Sequence, residues 1–313
     1  MKKALLPLLL CFILILSACG KQSAEDKGAA PKSAVDPEDK TITYQSEDGP
    51  VEVPAHPERV IVLSTYAGNV ISLGVTLVGV DVWSKKSPIF EKDLKAVAEV
   101  SDENLEKIIE LNPDLIIGLS GSDIKNLDKL KQIAPTVTFT YGKLDYLTQH
   151  LEIGKLLNKE QEAIAWVDDF KQRTEKSGEK IKAKIGENAT VSVIENDDKQ
   201  LYVFGDNWGR GTEILYQKMK LNMPSRVKEV ALKKGYYAIS SEVLSEFVGD
   251  YVIFSKDREG DTSFAFQETS TYKNIPAVKN HHVFEVNARA FYFSDPISLD
   301  YQLKFFEQSF LGE

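Results

Sequence analysis

Cysteine is all but absent from this chain. Cys11 and Cys19 are the two among 313 residues, and both sit in the first nineteen positions. Beyond them there is no thiol for a disulfide, a thiolate metal site or a cysteine nucleophile. Histidine is scarce too, with four residues: His56, His150, His281 and His282. They are too few and badly placed for the roughly three converging ligands of a zinc or manganese site. The nucleophile elbow G-x-S-x-G, the zinc-protease pattern H-E-x-x-H and the phosphate loop G-x-x-x-x-G-K-[ST] are all missing. Carboxylates are many but dispersed, so no triad is legible and the chain does not read as an enzyme. Nor is there an excess of positive charge. A net charge of −9 argues against nucleic acid, whose phosphates demand a basic face. What remains is a globular balance, 42% hydrophobic and 10% aromatic, at a length that suggests two domains.

One long apolar run is present, Leu5 to Leu16, preceded by Lys2 and Lys3 and closed by Ser17-Ala18-Cys19. A basic start, an apolar centre and a small-residue end make a secretory signal peptide. The run is shorter than the ~20 residues that a bilayer span needs. The cysteine directly after the small residues resembles the lipobox of bacterial lipoproteins. That resemblance implies cleavage after residue 18, a diacylglyceryl group on Cys19, and a mature protein held by lipid on the extracellular face of the cytoplasmic membrane. Residues 19–40 are rich in Lys, Ala, Ser, Asp, Glu and Pro without an apolar period, the composition of a disordered tether.

From Thr41 onward, short apolar runs alternate with helical periods. Thr41 to Tyr44 and Val51 to Val53 read as a hairpin around Glu47-Asp48-Gly49. Strands are expected at Arg59–Leu63, Leu77–Val80, Asp114–Gly118 and Thr136–Phe139, with helices at 67–73, 104–111 and 123–133 between them. Strands alternating with helices predict a parallel sheet in an α/β lobe, here residues 41–158. The next stretch is helical to Ile185 with a break near Asn158. Ala163, Trp166, Val167, Phe170, Ile181 and Ile185 recur at helical spacing. Residues 159–185 predict one helix of roughly 40 Å at 1.5 Å per residue, long enough to bridge two lobes. The alternation resumes over 186–313: strands at 190–194, 200–204, 250–254 and 282–286, helical segments at 210–219 and 240–247, and a last helix at 297–310. The two halves echo each other. Leu105-Glu106-Lys107-Ile108 before Pro113-Asp114-Leu115 parallels Ser241-Glu242-Val243-Leu244 before Gly249-Asp250-Tyr251. Two similar lobes imply a cleft between them, a preferred place for a ligand.

The richest stretch for chemistry is Tyr202-Val203-Phe204-Gly205-Asp206-Asn207-Trp208-Gly209-Arg210-Gly211. It starts as a strand and turns through glycines into a helix, at a strand carboxyl end, where open α/β sheets bind ligands. Trp and Arg are enriched where partners dock, and Arg offers five fixed donors to oxygen ligands. The competing reading buries Trp208 in the core and pairs Arg210 with a nearby carboxylate. Tyr66, Tyr141 and Phe291-Tyr292-Phe293 also stand at the ends of expected strands or before the last helix.

At these residues the chain resembles the siderophore-binding lipoproteins of Gram-positive ABC importers, most closely the ferric hydroxamate branch. The landmarks are Pro57-Glu58-Arg59-Val60, Thr65-Tyr66-Ala67-Gly68, Pro113-Asp114-Leu115-Ile116, Ala134-Pro135-Thr136-Val137, the Asp206–Gly211 loop and Tyr292-Phe293-Ser294-Asp295-Pro296. The resemblance covers residues 40 to 313. It implies two α/β lobes with mainly parallel sheets, joined by a long helix, with the ligand between them. The cargo would be an iron(III)-hydroxamate complex of the ferrichrome or ferrioxamine type, handed to an ABC permease by a monomer that uses no cofactor and no metal ligand of its own. Cleft residues would be Tyr66, Tyr141, Tyr202, Trp208, Arg210 and Tyr292, the last standing where relatives can carry tryptophan. Glu106 and Glu242 would meet the permease. Alternatives are another chelate, such as a catecholate or citrate-type siderophore, haem or cobalamin, or a secreted hydrolase.

Overall fold

A computed structural model describes residues 40–121, 124–197, 200–256 and 262–312. The expected signal peptide and all of the expected tether but Lys40 lie outside the described residues. The described residues belong to one compact unit.

The chain enters through an antiparallel hairpin, β1 (Thr41–Ser46) and β2 (Gly49–Pro54). The first lobe then builds a five-stranded sheet from β3 (Val60–Val62), β4 (Leu77–Val80), β5 (Ala98–Glu99), β6 (Leu115–Leu119) and β7 (Thr136–Phe139). Its order is β5-β4-β3-β6-β7, and every pairing is parallel. Connections are α1 (Ala67–Ser72), α2 (Val82–Lys85), α3 (Glu91–Leu94), α4 (Leu105–Glu110) and α5 (Leu127–Ile133). The central strands are buried on both faces. Val60, Val62, Leu115 and Ile117 pack with α1, while Ile61 and Ile116 pack with Ile108 of α4 and Leu130 of α5. Because successive strand residues face opposite ways, a continuous apolar run such as Leu115-Ile116-Ile117 fits a sheet covered by helices on both sides.

Two helices follow, α6 (Tyr146–Leu156) and α7 (Glu160–Ile185). The break between them is Asn158, whose φ of 55° is a left-handed conformation that Asn tolerates. Helix α7 enters at the first lobe's core through Ala163. It continues into the second lobe's core through Val167, Phe170 and Ile181. At Gly178 it closes on the Met219 backbone, where a Cβ would stand 2.6 Å from it.

The second sheet contains β8 (Val191–Asp197), β9 (Gln200–Phe204), β10 (Tyr236–Ile239), β11 (Tyr251–Lys256) and β12 (Val283–Asn287). Its order is β10-β9-β8-β11-β12. Strands β8, β11 and β12 are parallel, and β9 runs antiparallel to both β8 and β10. Helices α8 (Ser225–Ala231), α9 (Ser270–Lys273), α10 (Pro276–Lys279), α11 (Ala288–Phe291) and α12 (Pro296–Leu311) complete the lobe. Across both sheets parallel pairings predominate, as expected for this α/β class.

Three local expectations change. The helix expected from Arg210 is a π-helix, Glu213–Lys218, in which Met219 N–H donates to Ile214 O five residues back. The segment 240–247 is a turn followed by one 3₁₀ turn, Leu244–Glu246, so Glu242 lies on a turn and not at a helix start. Helix α8 and strand β10 were not anticipated. The repeated aspartates do share a role. Asp114 accepts the Glu58 and Arg59 N–H groups at 2.7 and 3.0 Å, and Asp250 accepts the Thr190 N–H at 2.8 Å. Each ties the start of one strand to its neighbour and satisfies backbone donors that no ladder reaches.

Candidate functional site

Between the lobes lies a cavity of about 700 Å³, within the range of small-molecule sites. Strand β3 delivers Tyr66, β7 delivers Tyr141, and the segment after α11 delivers Tyr292 and Asp295, all on its lining. The carboxylate of Asp295 caps α12 through Ser298 N–H at 3.1 Å and packs directly on Gly68 of α1. Any side chain at 68 would collide with it, so this glycine sets how closely α12 approaches the first lobe.

The Asp206–Gly211 loop is the strained part of the site. Gly209, Arg210 and Gly211 have φ of 71°, 60° and 81°. Such a conformation costs an arginine of order 1 kcal/mol or more and persists only when the surroundings enforce it. Here Arg210 N–H donates to Phe291 O at 2.7 Å, Gly209 N–H donates to Glu213 at 2.9 Å, and a Cβ at 209 would sit 2.3 Å from Tyr292 O. Only glycine fits there.

The Arg210 guanidinium is pinned. Its Nη2 and Nε donate to Glu195 at 2.8 and 3.2 Å, its Nη1 to Trp208 O at 3.3 Å, and it lies over the rings of Phe204 and Tyr292 at 4.9 and 4.6 Å. Burial disfavours its charge, but Glu195 outweighs that and holds its pKa above the usual arginine value. Glu195 in turn accepts Ser255 Oγ at 2.9 Å. The arginine is thus paired with a carboxylate, as the competing reading held, yet 18% of its side chain stays exposed beside the aromatic wall. The strand-end expectation needs correction. Strand β9 runs against β8, with Val203 opposite Ile194, so the loop leaves beside the amino-terminal half of β8. The guanidinium crosses the sheet face over Phe204 to reach Glu195.

The remaining aromatics form two groups of touching rings. Trp208 meets Tyr141 edge-on at 5.3 Å and Tyr236 at 5.1 Å, and Tyr236 meets Tyr202 at 5.9 Å. Trp83, on α2, meets Tyr292 at 5.9 Å. Tyr66, Tyr141 and Tyr292 line the cavity, whereas Arg210, Trp208 and Tyr202 are not on its lining and meet it through neighbours, Arg210 through Tyr292. Tyr66 and Tyr141 are held neutral, their pKa raised first by burial. Sequence reasoning missed Trp83 and Tyr236, both well exposed at 61% and 40%. Trp83 follows β4 just as Tyr66 follows β3, so the same strand-end signal was available. Tyr236 had none, because its strand was not anticipated.

The model of the periplasmic binding protein family matches residues 60–290. The chain belongs to that family. It is 39% identical, over 96% of its length and 95% of the relative's, to the iron(3+)-hydroxamate-binding protein FhuD of Bacillus subtilis. It is 26% identical, over 92% and 91%, to a putative ABC transporter substrate-binding lipoprotein, YhfQ, of the same organism. Among solved structures it is similar to Staphylococcus aureus FhuD2 with bound ferrioxamine B. There the TM-score is 0.76 and the identity 35%, over 82% of this chain and 99% of that one. Those relatives are substrate-binding proteins.

Glu106 and Glu242 lie away from the cavity lining. Both are exposed, Glu106 in the first turn of α4 and Glu242 on its turn near Ser240. Among the described residues, no group of three or more His, Cys, Asp or Glu side chains is placed to hold a metal ion.

Proposed function

We propose that this protein captures an iron(III)-hydroxamate siderophore at the cell surface and passes it to an ABC permease. The observation that carries the reading is the cavity walled by Tyr66, Tyr141 and Tyr292, with the Glu195-anchored Arg210 against that wall. A hydroxamate complex presents an oxygen-rich iron centre inside a carbon shell. The aromatics would cover the shell, and Arg210 would donate to the oxygens as a planar fork already oriented by Glu195. Iron is cargo here, already saturated by hard oxygen ligands, so no protein atom need touch it. Tyr202 and Trp208 would act from the second rank of the wall, setting the position of Tyr141 through Trp208.

Resemblance to a lipoprotein relative supports an anchor at Cys19, with residues 19–40 as the tether. The bridging helix shared by both cores favours small lobe movements in a monomer. Glu106 and Glu242, one per lobe, would meet cationic side chains on the permease.

The test is a fluorescence titration of the full chain with ferrioxamine B, ferrichrome, ferric citrate, a ferric catecholate, haem and cobalamin. Quenching is expected with the two hydroxamates at the lowest concentrations. Tighter binding of any other chelate would reject the assignment. Mass spectrometry of protein from cells checks the anchor: a wild-type chain without lipid on Cys19 would refute it.

A further inference from the structure

Tyr141 stands in a four-residue turn after β7. The turn is closed by Lys143 N–H donating to Thr140 O at 3.1 Å, with Gly142 at a φ of 73°. Glycine supplies that left-handed φ at no steric cost. Tyr141 is 51% exposed. Its ring meets Trp208 edge-on at 5.3 Å, a contact that crosses from the first lobe to the second. Packing alone therefore does little to hold it. A half-exposed aromatic on a surface turn stays in one place only if the turn itself is fastened.

Glu47 supplies the fastening. It sits between β1 and β2, at the tip of the amino-terminal hairpin. Thr140 N–H and Thr140 Oγ1 donate to its two carboxylate oxygens at 3.2 and 2.7 Å, and the Lys143 ammonium lies 3.2 Å from Oε2. One carboxylate thus grips the first and last residues of the turn that carries Tyr141. The Thr140 hydroxyl proton is used on Glu47, so its 2.8 Å contact with Ser120 Oγ is a donation from Ser120, which ties the turn to the end of β6. Burial works against the Glu47 charge, but the Thr140 and Lys143 donors outweigh that and hold its pKa below the usual carboxylate value. It is therefore an anion at neutral pH and can accept from all three donors. The Tyr66 phenol, held neutral by burial first and then by Tyr141 and Glu47, lies within electrostatic reach of both.

The hairpin is itself anchored. Tyr44 and Val53 belong to the first lobe's core, Tyr44 Oη donates to Glu152 at 3.3 Å, and Thr138 Oγ1 donates to Asp48 at 3.4 Å. Glu47 is thus a fixed point, 93 positions from Thr140 in sequence.

We propose that Glu47 is a positioning residue for ligand binding: it holds the Thr140–Lys143 turn so that Tyr141 stands against Trp208 before the ligand arrives, which makes the amino-terminal hairpin part of the binding site. This rests on the iron(III)-hydroxamate reading of the cavity that Tyr141 lines. The gain is preorganisation. Without Glu47 the ligand itself would have to order Tyr141, and ordering one side chain on binding weakens Kd roughly three- to tenfold.

The test is a double-mutant cycle with ferrioxamine B, read by fluorescence titration at a temperature where circular dichroism shows each variant folded. Glu47→Ala should raise Kd roughly three- to tenfold. Glu47→Gln keeps one of the two acceptors and should raise it less; it takes the place of Glu47→Ala in the cycle if the alanine variant does not fold. Tyr141→Ala should weaken binding by itself. Adding Glu47→Ala to it should change Kd less than twofold further, since a residue acting through Tyr141 then has nothing left to position. Equal losses in both backgrounds overturn the inference, because Glu47 would be acting through its charge or through the hairpin as a whole. Unchanged Kd in Glu47→Ala overturns it too and leaves the hydroxamate reading standing. The ligand-free protein gives a second readout. Glu47→Ala should move the tryptophan emission to longer wavelength, because Trp208 loses the ring beside it, and the shift should vanish when both proteins carry Trp208→Phe. Emission that does not move would show that Tyr141 keeps its place without Glu47, which overturns the inference as well. Wild-type protein that does not bind ferrioxamine B overturns the hydroxamate reading and the role of Glu47 with it.

Discussion

Arg210→Ala separates a ligand contact from a scaffold residue. In the folded protein the guanidinium makes a two-point pair with Glu195, whose side chain is only 3% exposed. Removing the arginine leaves that carboxylate with Ser255 Oγ as its hydrogen-bond donor. Breaking a buried pair from one side costs about 3–5 kcal/mol. In a chain of this size each kcal/mol moves the melting temperature by about 2–4 °C, so a fall on the order of 10 °C is expected. The binding effect is independent of that loss. A charge-assisted hydrogen bond to a hydroxamate oxygen is worth about 1.5–3 kcal/mol, or roughly ten- to a hundredfold in Kd. The double variant Arg210→Ala/Glu195→Gln removes the stranded charge. It should recover much of the melting temperature while keeping the full loss of affinity. The assay is fluorescence titration with ferrioxamine B at a temperature where circular dichroism shows each variant folded. Arg210→Lys should rescue only in part, since an ammonium lacks the planar fork. If folded Arg210→Ala binds with wild-type Kd and only its melting temperature falls, Arg210 is a scaffold residue and the site is misplaced.

Three further outcomes are expected. Glu106→Ala with Glu242→Ala should keep ferrioxamine B affinity and lower cellular iron uptake; normal uptake at equal surface abundance would dismiss the docking role. Gly178→Ala should destabilise by about 1–3 kcal/mol in chemical denaturation, although alanine is the better helix former, because its Cβ would meet Met219 backbone that cannot step aside; equal or greater stability would show that α7 is free to shift. The third concerns pH. Burial pushes the His150 pKa down from 6.5 to about 4, so the unfolded chain takes its proton first and acidification through that window destabilises the fold. Burial pushes Asp295 up from 3.8 to about 6, so the folded state holds that proton more tightly and gains stability over nearly the same window. The two oppose each other, each by up to about 3 kcal/mol. His150→Phe, which keeps a ring against Trp166, removes the first effect and leaves the Asp295 one common to both proteins, so its melting temperature relative to wild type should climb as pH drops from 6.5 to 4. A constant difference across that range would show that His150 is not held neutral.

Much of the architecture was legible in the chain itself. Leu77–Val80, Thr136–Phe139 and Gln200–Phe204 are apolar runs cut off by breakers, and their observed bounds coincide with the expected ones. The interruption at Asn158 and the long helix after it follow from local backbone preference and a sustained helical period, both properties of neighbouring residues. The glycine-rich loop was legible for the same reason, since three consecutive positive φ angles demand small residues around Arg210. Tertiary structure decided the rest. Strand β10 is an edge strand with Tyr236, Tyr237 and Ala238 exposed, so it carries no burial period for a pattern to reveal. Strand β8 runs three residues past its expected end at Ile194. Glu195, a charge that normally stops a buried strand, is neutralised by an arginine that is fifteen positions away in sequence and only becomes its neighbour when β9 folds back antiparallel. Asn69 and Gln149 read as ordinary polar residues on two separate helices. Only the packing of α1 and α6 around one cavity leaves Asn69 Oδ1 and Gln149 Nε2 buried with no partner among the described residues, because hydrogen-bond satisfaction is a property of the assembled surroundings and not of the residue.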